Sequence, residues 1–442
     1  MRRHVAPEKR SRLKILIVSN LLPPQVLGGY EIACYDIAQG LRELGHDVRI
    51  LTTPTARAVS DDQSWVRRSL GLRTYAPLPE TTHSVARFLQ HESGVSRFEN
   101  SRILLEELRD FRPDQTVLFN LVGIGGIALI DLLQRVGAAW SFNLGDQVPV
   151  QLKAAGSAEI LSIFGADAPD FFSTGNIIAL SHGLVNEIES AGVPLGDDVA
   201  YIPRGVQIPG QARTRAYQDA GVTRFMMASS LGAHKGIDAV IEAASQLDDL
   251  GERFVVDVYG GGDVQHYEAL AARSGVGDRI HFHGFADKAT LVEAHLSSDV
   301  FLFPTEQREP FGIAPVEAAA AGCVPFITVG SGVSEWFVSG EQCLKIQRDP
   351  QSVAAAMRSA IEGEIDLAAM GNAARILCEG TLSFESCLRA LEKNIAANSA
   401  SEDWLTRLYE SSVEESLLER DIEATNRLHA SFIQPLEGST PS

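Results

Sequence analysis

The chain has little that would hold it together covalently or through a metal. Five cysteines stand in 442 residues, Cys34, Cys323, Cys343, Cys378 and Cys387. None forms a CxxC pair and the number is odd, which argues against a disulfide framework and predicts reduced, buried thiols in a cytoplasmic protein. The eleven histidines show no metal-ligand spacing. His281 and His283 alternate onto one strand face, but two histidines alone read as structural. No apolar stretch approaches the ~20 residues that span a membrane. The basic start (Arg2, Arg3, Lys9, Arg10, Arg12, Lys14) runs into an apolar segment of only Ile15 to Val18, too short for a signal peptide. That tail reads as a frayed terminus and leaves a peripheral membrane contact open. Positive charge is also short: 38 Lys and Arg face 57 Asp and Glu, a net charge of −19. A general nucleic-acid binder needs the opposite balance. The acid is concentrated in the second half, while the first half is nearly neutral.

Hydrophobic residues make up 45% and charged residues 21%, ordinary usage for a packed chain. The length predicts two or three domains. Short β-rich runs alternate with longer amphipathic ones. Strands are expected at Ile15–Val18, Val48–Thr52, Thr116–Phe119, Trp140–Phe142 and Ile177–Leu180. Helices are expected at Tyr30–Leu44, Val85–Arg109, Ile124–Val136 and His182–Ala191. The second half repeats the alternation, with strands at Phe225–Ser229, Phe254–Tyr259, Ile280–His283, Val300–Phe303, Val324–Thr328 and Leu344–Ile346. Its helices are Gly236–Leu250, Val264–Arg273, Lys288–Leu296, Phe311–Ala321 and Val353–Ile361. Such alternation means βα units, parallel sheets and helices on both faces, an α/β class with two doubly wound domains. Pro203, Gly205, Pro209 and Gly210 punctuate the break. The expected division is 1–205, 206–383 and a helical tail 384–442 that packs back, with helices at Phe384–Ala397 and Glu402–Arg427 and no order over Glu437 to Ser442. Ligands of such sheets sit at the carboxyl ends of strands, so the cleft between the two sheets is the expected site.

The strongest chemical signal is Glu309-Pro310-Phe311-Gly312-Ile313-Ala314-Pro315-Val316-Glu317-Ala318, directly after an apolar strand. A helix opening at Gly312 offers free backbone N–H groups and a positive dipole end to an anion. Glu309 stays on the loop and Glu317 lies on the helix. Carboxylates on either side of a phosphate cradle suit hydroxyl groups, hence one sugar on each side of a diphosphate. Lys235 precedes Gly236 at another strand-to-helix junction, where it can neutralise a phosphate leaving group. Gly28 and Gly29 follow the first strand and allow close backbone approach to a ligand.

This segment resembles the Glu-x7-Glu signature of the retaining glycosyltransferases of family 4, which have the GT-B fold of two Rossmann-like domains. The similarity covers most of residues 13–397. Supporting it are Lys14 to Asn20 followed by Gly28-Gly29, Arg112-Pro113-Asp114, Ile202-Pro203-Arg204-Gly205-Val206, Lys235-Gly236, Tyr259-Gly260-Gly261-Gly262 and His283-Gly284-Phe285. The resemblance implies an acceptor-binding first domain, a donor-binding second domain, and hexosyl transfer from a nucleotide-diphosphate sugar, UDP- or GDP-linked, without a metal or other cofactor. It assigns donor sugar hydroxyls to Glu309, the nucleotide ribose to Glu317, and the diphosphate to the backbone of Phe311, Gly312, Ile313 and Ala314, to Lys235 and to the loop of Gly28 and Gly29. Base contacts fall near Gly284 and Phe285, with Tyr30 and Glu31 at the edge of the acceptor region.

The chain departs from the family at four places. Ser230 stands where the family has a diphosphate-binding Arg, and a neutral Ser cannot replace a guanidinium. Arg204 stands where Asn is common and is a candidate for the missing cation, with a hinge salt bridge as the alternative. Gly145-Asp146 replaces His-Asp, so the His that faces the donor sugar is absent. Asp146 or Asn143 could recognise hydroxyls instead, or serve as turn residues. Asn120 occupies a strand end where His is common. The implied mechanism is front-face, with the leaving phosphate taking the acceptor proton. The rival readings are a GT-B sugar-nucleotide epimerase and an inactive nucleotide-sugar-binding scaffold. Glycan, lipid and small-molecule acceptors all stay open.

Overall fold

The computed structural model describes residues 12–56, 63–72, 94–211, 213, 216–306, 308–399 and 404–437. The expected helix over 85–93, most of the basic tail and the last five residues lie outside them. The chain divides into two compact units. Unit 1 comprises Met1–Ala179, Val185–Ala200 and Leu391–Ser442, and unit 2 comprises Leu180–Leu184 and Tyr201–Ala390.

Unit 1 is built on a seven-stranded parallel sheet: β1 (Lys14–Val18), β2 (Asp47–Thr52), β3 (Val66–Arg68), β4 (Gln115–Leu118), β5 (Trp140–Leu144), β6 (Asn176–Ala179) and β7 (Val199–Tyr201), in the order 3-2-1-4-5-6-7. The central strands are buried on both faces, and β4 and β5 are buried throughout. Continuous apolar runs are what a parallel sheet covered on both sides requires. The order reverses between β1 and β4, so their carboxyl ends open a crevice. Helices α1 (Gly29–Glu43), α2 (Phe98–Phe111), α3 (Gly126–Val136), α4 (Val148–Ala154), α5 (Ala158–Ile163) and α6 (His182–Ser190) complete the βα units.

Unit 2 has a six-stranded parallel sheet: β8 (Thr223–Ala228), β9 (Phe254–Tyr259), β10 (Ile280–Gly284), β11 (Val300–Phe303), β12 (Val324–Thr328) and β13 (Leu344–Ile346), in the order 10-9-8-11-12-13. Its helices are α7 (Ile237–Ser245), α8 (Val264–Arg273), α9 (Lys288–Ser297), α10 (Ala314–Ala320), α11 (Pro350–Ile361) and α12 (Leu367–Leu377). One apolar cluster, with Phe225, Val256, Leu302 and Phe326, holds α7, α8 and α11 on one face. A second, with Met226, Phe301, Phe303 and Ile327, holds α10 on the other. Here the order reverses between β8 and β11. Two parallel sheets clad in helices are the expected α/β class with two doubly wound domains.

The carboxyl-terminal segment holds α13 (Phe384–Ala397), α14 (Trp404–Leu408) and α15 (Ser411–Glu437). Within unit 1, the buried Glu392 meets His46 at 3.0 Å, and His46 Nδ1 accepts from the Leu13 amide at 3.2 Å. Arg420 of α15 lies 3.0 Å from the buried Asp131 of α3. The single helix expected over Glu402–Arg427 is therefore two. The break falls where the Leu408 carbonyl accepts from Arg109 Nε at 3.1 Å and the Tyr409 ring receives the guanidinium groups of Arg109 and Arg112. All five cysteines are free and buried.

Candidate functional site

The loops after β8 and β11 emerge side by side at the switch point of unit 2. They are tied by the Glu306 amide, which donates to the His234 carbonyl at 3.0 Å. That tie carries Lys235 to Glu309: Nζ donates to Oε2 at 2.5 Å, with 22% and 17% of the two side chains exposed. The Glu309 segment is braced from the far side. Gly332 and Val333 donate their amides to the carbonyls of Glu309 and Phe311 at 2.9 and 2.8 Å.

The helix after this loop begins later than the sequence suggested. It spans Ala314–Ala320, not Phe311–Ala321, because Gly312 takes φ +86° and cannot be helical. A Cβ on Gly312 would also lie 2.5 Å from the Phe303 ring and 3.3 Å from Glu309 Cγ. The late start leaves the amides of Gly312, Ile313 and Ala314 without an acceptor among the described residues, and Pro315 follows with none to satisfy. Three consecutive free donors beside Lys235 form a short anion cradle. Glu317 is half-buried on the first turn of α10, and no donor among the described residues reaches its carboxylate. Burial pushes its pKa up, and Lys288 pulls the other way. Such a carboxylate is free to accept hydrogen bonds from hydroxyl groups.

The other residues expected on the donor side are placed as follows. Ser230 is exposed and its carbonyl accepts from Ser229 Oγ at 3.2 Å. Gly284 ends β10, and its carbonyl takes the Gly260 amide at 2.7 Å. Phe285 follows with 86% of its surface exposed. Arg204 lies in a segment that runs along residues 382–384, where Val206 exchanges backbone hydrogen bonds with Leu382 and Phe384. A cation that no motif singles out, Arg348, donates through Nη2 to the carbonyl of Ala233, two residues before Lys235. It sits between β13 and α11, far from any motif in sequence, so only the packing of α11 beside α7 reveals it.

In unit 1 the loop after β1 is already occupied by the chain itself. Glu31 is buried, and its Oε2 takes the Gly28 amide at 2.9 Å and the Leu27 amide at 3.3 Å. It caps α1 instead of lining an edge; Gly28 and Gly29 remain exposed. Tyr30 donates its hydroxyl to the Asn143 carbonyl, and its ring lies against Gly145. A Cβ at Gly145 would sit 2.8 Å from Tyr30 Cδ2 and Cε2, so the ring fills the space a larger residue there would need. That pairing explains the glycine in place of His. Asn120 Oδ1 accepts from the Val122 amide at 3.1 Å, and Asp146 Oδ1 from the Gln147 amide at 2.7 Å, so both side chains hold their own turns. His283 Nε2 meets the buried Asp257 at 2.8 Å, with His281 at 3.7 Å. No group of three metal-ligating side chains occurs among the described residues. No helix of those residues is long and apolar enough to cross a membrane.

Comparisons with known proteins bear on the family and the fold. Residues 218–376 match the model of glycosyl transferases group 1, and residues 28–205 match the glycosyl transferase 4-like domain. An uncharacterized glycosyltransferase of Methanocaldococcus jannaschii is 25% identical over 340 residues, 73% of this chain and 82% of that protein. The phosphatidyl-myo-inositol mannosyltransferase of Mycobacterium tuberculosis is 30% identical over 131 residues, 29% of this chain and 34% of its own. Among solved structures, a glycosyltransferase from Rickettsia africae superposes with TM-score 0.65 at 16% identity, covering 88% of this chain and all (100%) of that one. Anabaena HepE, solved in complex with UDP and glucose, gives 0.61 at 17% identity, with 87% and 100% covered. At such identities the structural likeness speaks for the fold. The two family models, which between them take in the glycine loop, Lys235 and both glutamates of the Glu-x7-Glu segment, place the chain in the group 1 glycosyltransferases, a family of sugar-transferring enzymes with the GT-B fold.

Proposed function

We propose that this enzyme moves a hexosyl group from a nucleoside-diphosphate sugar, UDP- or GDP-linked, to an acceptor hydroxyl with retention at the anomeric carbon. The observation that carries the reading is the convergence at one switch point of Lys235, Glu309 and the free amides of residues 312–314. In this reading the diphosphate enters the cradle and takes Lys235 from Glu309. The freed Glu309 then accepts from donor sugar hydroxyls, and Glu317 accepts from the ribose. Lys235 and the amides stabilise charge that grows on the leaving phosphate, where fixed dipoles count most. The leaving phosphate takes the acceptor proton on the same face of the sugar, which preserves configuration. Arg348, beside Ala233, supplies positive charge that Ser230 cannot, and Arg204 is the second candidate. The reaction so drawn uses protein groups and substrate alone. The UDP and glucose bound by HepE support a nucleotide-sugar donor. Thermal shift against UDP, GDP and ADP tests it. A ligand at 100 times its Kd stabilises by about 2.7 kcal/mol; no shift with any of the three would remove the nucleotide donor from the account.

A further inference from the structure

We propose that Arg68 is an anion receptor in unit 1 and that the acceptor is a hydroxylated molecule bearing a phosphate or carboxylate group, an inference that rests on the transfer reading above. Arg68 ends β3, on the carboxyl side of the sheet. Its Nη2 donates to the Pro23 carbonyl at 2.6 Å and to Gln63 Oε1 at 3.2 Å. This fixes the guanidinium beneath the loop that follows β1 and carries Gly28 and Gly29. A guanidinium has five N–H donors. Those on Nε and Nη1 are buried and meet no acceptor. No carboxylate among the described residues pairs with it. The adjacent Arg67 shows the contrast, lying 3.9 Å from Glu107 and 3.7 Å from Asp110.

Buried donors without an acceptor are costly, and native folds rarely leave them unpaired unless water, an ion or a ligand completes them. Burial drives the Arg68 pKa down, with Tyr35 pulling the other way, and no carboxylate among the described residues offsets it. A second orphan sits on the same loop: Gln25 Oε1 is buried with no donor. Each orphan sets a requirement on what completes it. Arg68 asks for an anion with several acceptor oxygens, which phosphate and carboxylate supply. Gln25 asks for a hydroxyl donor. A sugar phosphate or a uronic acid meets both needs, and a neutral glycoside meets only one. The residue stands at the carboxyl end of the edge strand β3, the end at which a doubly wound sheet binds ligands, and is tied to the loop after β1 through Pro23.

Isothermal calorimetry with the donor site saturated by UDP, or by whichever nucleoside diphosphate binds, provides the test. D-glucose 1-phosphate, D-glucuronate and methyl α-D-glucoside are each titrated into wild type, Arg68→Gln and Arg68→Lys. At least one of the two anions should bind the wild type, with its affinity falling tenfold or more in Arg68→Gln and by less in Arg68→Lys, and methyl glucoside should bind more weakly than either. Whether the phosphate, the carboxylate or both respond identifies the anionic group. Failure of both anions to bind, or equal affinity in wild type and both variants, overturns the proposal. Should Arg68→Gln not fold, the Arg68→Lys comparison decides alone. Nucleotide binding is recorded first, so a protein that ignores nucleotides but binds anions through Arg68 sinks the transfer reading and not the receptor, and the converse holds.

Discussion

Replacing Lys235 with Ala removes a side chain that ties the β8 loop to Glu309. The Nζ–Oε2 distance of 2.5 Å marks a charge-assisted contact, and neither partner is more than 22% exposed. In the resting protein this pair resembles a partly screened ion pair, worth about 1 kcal/mol or less. Loss of Lys235 should therefore lower stability only slightly. In the proposed transfer the same ammonium would face charge developing on the leaving phosphate. Losing one such preorganised group costs about 2.7–4 kcal/mol, or roughly 10²- to 10³-fold in kcat. The assay is release of nucleoside diphosphate from the donor sugar, followed beside thermal unfolding of the same preparation. A wide separation between the two effects is the expected result, with kcat down at least a hundredfold and the melting temperature within a few degrees. A rate within fivefold of wild type would show that Lys235 merely pairs with Glu309. A melting temperature far below wild type would make the pair structural.

Three further outcomes follow from particular residues. Glu317→Ala should weaken nucleoside diphosphate binding by about 1.5–3 kcal/mol, the range for hydrogen bonds to a charged group, while 2′,3′-dideoxy nucleotide binds both proteins alike; equal loss with both ligands refutes a ribose contact. Gly145→Ala drives a methyl into the Tyr30 ring and should cost about 1–3 kcal/mol by overpacking, measured in denaturant, and Tyr30→Ala should recover part of that cost in the double variant. His295 is 2% exposed, its Nδ1 lacks a partner, and burial lowers its pKa to about 4. Its folded value lies below the unfolded 6.5, so its contribution is complete above pH 6.5 and drains as pH falls toward 4, by about 1.4 kcal/mol for each pH unit crossed. His295→Leu should flatten the stability profile across that window, and an unchanged acid limb contradicts the assignment.

Much of the fold was legible because parallel strands buried on both faces announce themselves as apolar runs. Val300–Phe303 and Val324–Thr328 appear as expected, and Phe254–Tyr259 does so despite Asp257 in its middle. The edge strands β3 and β7 gave no such sign. Each is three residues long, and Val66-Arg67-Arg68 is mostly charged, so neither carries a burial signal. The site divides in the same way. Glu309, Lys235 and Glu317 are visible because their chemistry lies in local motifs. Arg348 and Arg68 are invisible there: one is defined by helix packing, the other by hydrogen bonds that are missing. The reason for Gly145 was equally hidden, since it lies in the ring of a residue 115 positions earlier, Tyr30.

The central claim is that the Glu309 loop binds a nucleotide sugar for transfer. Its most direct test is the release of nucleoside diphosphate from UDP- and GDP-sugars by wild type and Glu309→Ala, with nucleotide binding measured on both. The account predicts turnover by wild type with at least one donor, its loss in Glu309→Ala, and nucleoside diphosphate affinity retained in the variant. Turnover that survives in Glu309→Ala, or a wild type that binds and cleaves none of these donors, contradicts it.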